Sequence, residues 1–333
     1  MSGPADVPKL FEGVRSGDRG ALARAITLIE STRPDDGAAA LRLLTMALPH
    51  SGNALRLGMT GIPGVGKSTL IDAFGRHAID QGHRVAVLAT DPSSQRSGGS
   101  ILGDKTRMEE LSRSDRAFIR PTPSSGLLGG VARRTRGSIV LCEAAGYDLV
   151  LVETVGVGQS ELEVDRMTDL TLLLMIPGAG DELQGIKRGI MESADVIVLT
   201  KAAGPDPAMH RTARNALLNA IAFLPPRDSG RRPDVLLTDA LTGSGVPELL
   251  RHVIELGTKD KASGYQQLRR QDQNVAWMHQ AIREGLLERL VEDSALVERI
   301  DLLEGLVKRG ETGPFQAANE VLERFRTGGA PRP

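Results

Sequence analysis

Hydrophobic positions change period along the chain. In the first 50 residues Leu22, Ile26 and Leu28-Ile29 recur at helical spacing, and Asp35 reads as a cap before a further helix over 38–48. From about residue 54 short apolar runs alternate with helical patterns. Strands are predicted at 55–60, 84–90, 117–120, 148–154, 170–176, 196–200 and 235–238, with helical periodicity between them, for example over 70–79 and 131–145. Most of the runs are almost continuously apolar, the pattern of parallel strands covered on both faces. Repeated strand–helix units imply right-handed crossovers, an α/β fold with a doubly wound, mostly parallel sheet, and a site at the carboxyl ends of the strands.

After residue 257 the strand pattern stops. Val275, Met278, Ile282, Leu286 and Leu290 follow one another at spacings of three and four, which predicts amphipathic helices over 266–290 and 295–307. The expected organisation is a helical extension over 1–53, an α/β domain over 54–257 and a helical extension over 258–333. The last of these either packs as a helical layer on the same domain or, with the large apolar Trp277 and Met278, forms a subunit interface.

Composition narrows the function classes. A formal net charge of −1 argues against a general polyanion binder, and 3% aromatic residues leave few rings to stack on bases, so nucleic acid is not the expected partner. The single cysteine, Cys142, lies in the apolar run Ile139-Val140-Leu141-Cys142 and reads as a small buried hydrophobe. Six scattered histidines form no ligand cluster for a transition metal. No apolar run approaches the ~18 residues that a membrane span requires. A cytoplasmic protein is the default expectation.

The segment Gly61-Ile62-Pro63-Gly64-Val65-Gly66-Lys67-Ser68 matches G-x-x-x-x-G-K-[ST] in full. An apolar strand precedes it and a helix-forming run begins at Thr69. Glycines let such a loop wrap a polyphosphate so that backbone N–H groups point inward, and the helix adds its N-terminal dipole. Lys67 is expected to reach the β- and γ-phosphates, and the Ser68 hydroxyl to ligate Mg²⁺. The motif identifies a P-loop NTPase domain.

Such a site also needs acids near the metal. Asp91 ends the strand at 84–90, Glu153 ends the strand at 148–154, and Asp104 follows the Gly-rich stretch 97–103. Glu153-Thr154-Val155-Gly156 resembles an acid-x-x-Gly element whose Gly156 N–H senses the γ-phosphate. Asp91, Asp104 and Glu153 are expected to hold metal-bound waters and to orient the attacking one. Gln159 and Lys187 are candidate activating groups. Lys187 lies on a loop over 177–188 that contains Gly178, Gly180 and Gly185, so closure over the nucleotide is possible.

The P-loop, Asp91-Pro92-Ser93-Ser94, the stretch Ser100-Ile101-Leu102-Gly103-Asp104-Lys105-Thr106-Arg107-Met108, Glu153-Thr154-Val155-Gly156-Val157-Gly158-Gln159-Ser160-Glu161 and the run 177–187 together resemble the MeaB/ArgK family, over roughly residues 15 to 300. That resemblance implies a Mg²⁺-dependent GTPase, similar to the methylmalonic aciduria type A protein, with GTP as substrate and GDP as product. It implies a chaperone role toward an adenosylcobalamin-dependent acyl-CoA mutase, gating cofactor loading and protecting the enzyme. It further implies a homodimer built partly from the C-terminal helices. An older description of the family, as kinases of an arginine/ornithine transport system, supplies the alternative: γ-phosphoryl transfer to a small molecule or protein. A nickel-delivery GTPase is disfavoured by the single cysteine and the lack of a His-rich tract.

One element departs from the pattern. Guanine is normally read by Asn-Lys-x-Asp, whose carboxylate pairs with the N1–H and N2–H₂ donors. The corresponding residues are Thr200-Lys201-Ala202-Ala203. Lys201 can still lie along the base, but Ala203 carries no carboxylate, which should remove roughly 2–4 kcal/mol of preference for guanine. Asp239 in Thr238-Asp239-Ala240, or else Asp206, is the expected replacement, with Ala240 beside the base.

Overall fold

The computed structural model describes residues 6–91, 108–123, 130–154, 160–177, 188–202 and 207–328. Three helices open the chain: α1 (Val7–Arg15), α2 (Arg19–Glu30) and α3 (Pro34–Ala47). Asp18 starts α2 by accepting hydrogen bonds from the Gly20 and Ala21 N–H groups at 2.7 and 3.0 Å, a carboxylate at the positive end of the helix. Asp35 does not cap α3. The helix starts earlier, at Pro34, whose ring presets the first helical φ, and Asp35 and Asp36 lie in its first turn.

The strands are β1 (Leu55–Gly61), β2 (Val85–Asp91), β3 (Ala117–Pro123), β4 (Leu149–Glu153), β5 (Leu170–Met175), β6 (Val196–Leu199) and β7 (Asp234–Leu237). They form one parallel sheet in the order β3-β2-β4-β1-β5-β6-β7. Strand β1 is central, and the chain runs from it first to one side, through β2 and β3, and later to the other. That reversal opens a crevice at the carboxyl end of β1.

Helices cover both faces. On one, α4 (Lys67–Asp80) and α10 (Val246–Ala262) bury Leu70, Phe74, Leu249 and Val253 against Leu57, Met59, Val87, Leu151 and Leu172. On the other, α9 (Pro207–Ala222) brings Leu217 and Ile221 onto Leu173, Ile197, Leu199 and Val235. Between them in the chain lie α5 (Glu109–Ser112), α6 (Gly130–Ala144), α7 (Ser160–Asp165) and α8 (Arg188–Glu192). A Cβ on Gly58 of β1 would lie 2.2 Å from Val164 Cγ1 and 2.9 Å from Thr168 Oγ1, so only glycine lets the end of α7 pack this closely on the sheet. Cys142 of α6 is fully buried, and burial pushes its thiol pKa well up.

The amino end of the sheet is fastened by charge pairs. Asp165 Oδ1 receives Arg269 at 2.7 Å and Arg227 at 2.8 Å. Arg227 Nε also lies 3.2 Å from Asp195 Oδ1. Arg270 grips Asp169 through two bonds of 2.7 and 2.6 Å. Burial works to raise the pKa of Asp165, but the guanidinium groups of Arg269 and Arg227 outweigh it and hold the carboxyl below its ordinary value. At Asp195 burial wins over Arg227 and the Thr171 N–H, and the pKa rises.

Helix α11 (Tyr265–Glu292) contributes its first turns, with Arg269, Arg270 and Gln273, to a compact unit that ends at Gln273. The second unit, Asn274–Pro333, contains the rest of α11, α12 (Ser294–Lys308) and α13 (Pro314–Arg326). Leu296, Leu303 and Ala317 are its buried residues, and Arg299 pairs with Glu320 at 2.6 Å. The stripe Val275, Met278, Ile282 and Leu286 is exposed. No helix among the described residues is long and apolar enough to cross a membrane.

Candidate nucleotide site

The loop between β1 and α4 is shaped by its glycines. Gly61 has φ +150, and a Cβ there would meet Leu174 O at 2.5 Å; Gly64 and Gly66 adopt φ +79 and +98. L-residues resist these conformations, so the motif's glycines are a steric requirement. Val65 is buried and pins the loop's middle, while α4 starts at Lys67 with no side-chain cap on its N–H groups. A row of amides and the positive end of a 14-residue helix therefore face the crevice. Lys67 is buried to 7% exposure, and its ammonium donates to Gly61 O at 2.7 Å and Ile62 O at 3.2 Å. These contacts hold a cation at the loop's mouth.

Strand β4 delivers the acid. Met59 and Glu153 are in register across β1 and β4, and the Thr154 N–H donates to Met59 O at 3.1 Å. Glu153 is buried, and its Oε1 accepts a hydrogen bond of 2.9 Å from Ser68 Oγ in the first turn of α4. One step further, the hydroxyls of Thr154 and Thr60 meet at 3.1 Å. Sequence reasoning singled out neither threonine; the available signal was a hydroxyl at the end of each of two adjacent apolar strands. The donors gathered here are oxygens, the set that suits a hard divalent cation whose remaining ligands are phosphate and water.

Asp91 is the last residue of β2, two beyond Ala89, which is in register with Glu153. Its backbone thus ends at the same carboxyl edge; its side chain lies outside the described residues. Asp104, Gly156, Gln159, Lys187, Ala203 and Asp206 also lie outside them.

The β6 and β7 side of the crevice is built from the segments that follow those strands. The Thr200 N–H donates to Met175 O and its hydroxyl to Val65 O, each at 2.8 Å, so the segment after β6 is tied directly to the phosphate loop. Lys201 is, among the described residues, the non-glycine with a left-handed backbone (φ +57), and its ammonium reaches Gly64 O at 3.0 Å. The Ala202 N–H donates to Thr238 O at 3.0 Å. Beyond β7, Asp239 Oδ1 accepts from the Leu241 N–H at 3.1 Å, the Thr242 N–H at 2.9 Å and the Thr242 hydroxyl at 3.1 Å. Its carboxylate builds the turn that carries Ala240. Pro63 and Thr69 are exposed at the rim.

Comparison with known proteins agrees with this geometry. The family model described as methylmalonyl Co-A mutase-associated GTPase MeaB matches residues 22–295. The Escherichia coli protein named GTPase ArgK is 45% identical over 329 residues, covering 98% of this chain and 99% of its own. The mouse protein named methylmalonic aciduria type A homolog, mitochondrial, is 45% identical over 331 residues, covering 96% of this chain and 80% of its own. A solved structure named LAO/AO transport system kinase superposes with a TM-score of 0.75 at 37% identity, over 98% of this chain and 99% of the other.

Proposed function

The chain belongs to the MeaB family of GTPases, and from that premise we propose a Mg²⁺-dependent GTP hydrolysis cycle that chaperones an adenosylcobalamin-dependent acyl-CoA mutase of the methylmalonyl-CoA mutase type. In this reading the cycle gates loading of the mutase's cofactor and protects the enzyme. The observation that carries the hydrolytic part is the Ser68–Glu153 contact beside Lys67, at the start of an uncapped helix.

The protein's own groups divide the work. Amides from Gly64 to Ser68 orient the polyphosphate, and the Lys67 ammonium offsets charge that develops on its terminal oxygens. Glu153 aligns the Ser68 hydroxyl and accepts from water. Ser68, Glu153, Asp91 and Asp104 would hold Mg²⁺, which would supply charge neutralisation of the phosphates when bound. Gly156 would sense the γ-phosphate, and Lys187 would close over it from its loop. Thr200 and Lys201, with Ala203, Asp239 and Ala240, would frame the base.

The exposed stripe on α11 supports a homodimer, since an apolar face of this kind is usually covered. The family description and the mouse relative's name support the mutase partner. The test is reconstitution of the purified chain with an acyl-CoA mutase, the chain being loaded with GDP or with a non-hydrolysable GTP analogue. Nucleotide-dependent complex formation, with cofactor loading that differs between the two states, is expected. Absence of any complex in both states would remove the chaperone role.

The solved relative's name favours one competing reading, transfer of the γ-phosphoryl to an acceptor. Phosphate release at full rate with no acceptor present separates hydrolysis from transfer.

A further inference from the structure

We infer that Thr60 and Thr154 are a positioning pair behind the nucleotide site, fixing the Lys67 ammonium and the Glu153 carboxylate relative to each other. Their role deepens the Mg²⁺-dependent hydrolase reading above and rests on it.

Strand alternation places the pair. Leu57 and Met59 of β1, with Leu149 and Leu151 of β4, point into the core that α4 covers. A Cβ on Gly58 would face the other way, toward Val164 and Thr168. Two residues on, Thr60 shares that reverse face, and Thr154 meets it there, hydroxyl to hydroxyl at 3.1 Å. The two residues are 0% and 3% exposed. Turned away from α4 and closed to solvent, they act through their neighbours in the chain.

Those neighbours carry the polar contacts of the site. Thr60 precedes Gly61, whose carbonyl accepts from the Lys67 ammonium at 2.7 Å. Thr154 follows Glu153, whose Oε1 accepts from the Ser68 hydroxyl at 2.9 Å. The register of β1 with β4 ends at Met59 and Glu153, and the Thr154 N–H adds a bond to Met59 O at 3.1 Å. From there β1 runs on beside β5 to Gly61, while β4 stops. The hydroxyl contact ties the two strands together where they part.

A hydrogen bond lets the two oxygens approach to 3.1 Å, whereas apolar carbons settle at about 3.5–4.0 Å. Valine at either position keeps the shape and loses the bond, so the strand ends should spread by roughly half an ångström. A misplacement of about 1 Å away from the reacting atoms can cost about 100-fold in rate. Mg²⁺ is sensitive for its own reason, since it demands near-ideal octahedral geometry from its oxygen ligands.

The test measures how much Mg²⁺ tightens binding of a fluorescent, non-hydrolysable GTP analogue, alongside GTP turnover, with thermal melting to establish that each variant is folded. Thr154→Val and Thr60→Val are each expected to cut the Mg²⁺ enhancement of affinity by about 5- to 10-fold and kcat by about 10- to 100-fold. Mg²⁺-free GDP affinity should stay within about 2-fold, because the amides of the loop are untouched. Thr154→Ser, which keeps the hydroxyl, should hold both quantities within about 2-fold of wild type. Should one valine variant fail to fold, the other breaks the same bond from the opposite strand. Valine variants that keep both the enhancement and kcat would overturn the inference. So would a Thr154→Ser as defective as Thr154→Val, or an equal loss of Mg²⁺-free GDP affinity, which marks a general role in the fold. A wild type that binds the analogue with Mg²⁺ yet releases no phosphate from GTP sinks the hydrolase reading instead, and the affinity ratios still decide the role of the pair.

Discussion

The hydroxyl of Ser68 donates to Glu153 across 2.9 Å, joining the first turn of α4 to the last residue of β4. Two segments 85 residues apart in the chain are thereby locked at the mouth of the crevice. Because β1 and β4 are neighbours in register, the sheet itself fixes this contact, and the site inherits the rigidity of its core.

Replacing Glu153 by glutamine keeps the size of the side chain and its acceptor oxygen while removing the charge. Turnover is expected to fall by about 100-fold, with GTP affinity changed by less than about 5-fold. Single-turnover phosphate release and equilibrium titration check the two halves separately.

Lys67→Ala removes the ammonium at the loop's mouth. Phosphate release should drop by about 100- to 1000-fold, and the triphosphate should lose more affinity than the diphosphate. Near-normal turnover in this variant would be incompatible with the proposed roles.

Thr200→Val retains the shape of the side chain and deletes the bond to Val65 O. Binding of GTP and GDP should weaken together, by about 5- to 10-fold each, because the lost hydroxyl ties this segment to the phosphate loop. Unchanged affinity for both nucleotides in an equilibrium titration would show that this bond does not position the loop.

Asp165 gives a prediction in pH. Its folded pKa lies below the ordinary carboxylate value, so the unfolded chain binds the proton more readily. The stability it contributes is present above the unfolded pKa, near 3.9, and is lost as pH falls through the lower folded value. Asp195 acts in the opposite sense: its folded pKa is raised, so its contribution is full at low pH and declines as pH climbs from the ordinary value through the raised one. Asp165→Asn should therefore cost about 3 kcal/mol at neutral pH, by leaving Arg227 and Arg269 poorly paired, and should flatten the acid limb of thermal stability. Melting curves from pH 3 to pH 7 test both statements.

The strands were legible because burial on both faces leaves runs such as Leu149–Glu153 and Leu170–Met175 almost wholly apolar. The phosphate loop was legible because its steric demand for glycine and its chemical demand for lysine fall at fixed spacing. Other features depend on partners far away in the chain. Nothing local announces that β4 inserts between β2 and β1. The first compact unit runs on to Gln273, beyond the end of the strand pattern, because Arg269 and Arg270 reach back to Asp165 and Asp169. Hydrophobic periodicity cannot register polar anchors of that kind. At Asp239 the residue type announces a charge, but not the three hydrogen bonds that its Oδ1 accepts within the turn. At Asp35, the proline one position earlier set the helix start.

The burial of Cys142 has a practical consequence. The chain's one thiol is sealed inside the domain and held protonated, so alkylating dyes and spin labels should pass it by. A cysteine introduced anywhere on the surface would then be the sole labelled point on an otherwise native background. Positions on either side of the crevice could be tagged in pairs and their separation followed as nucleotide is bound, cleaved and released.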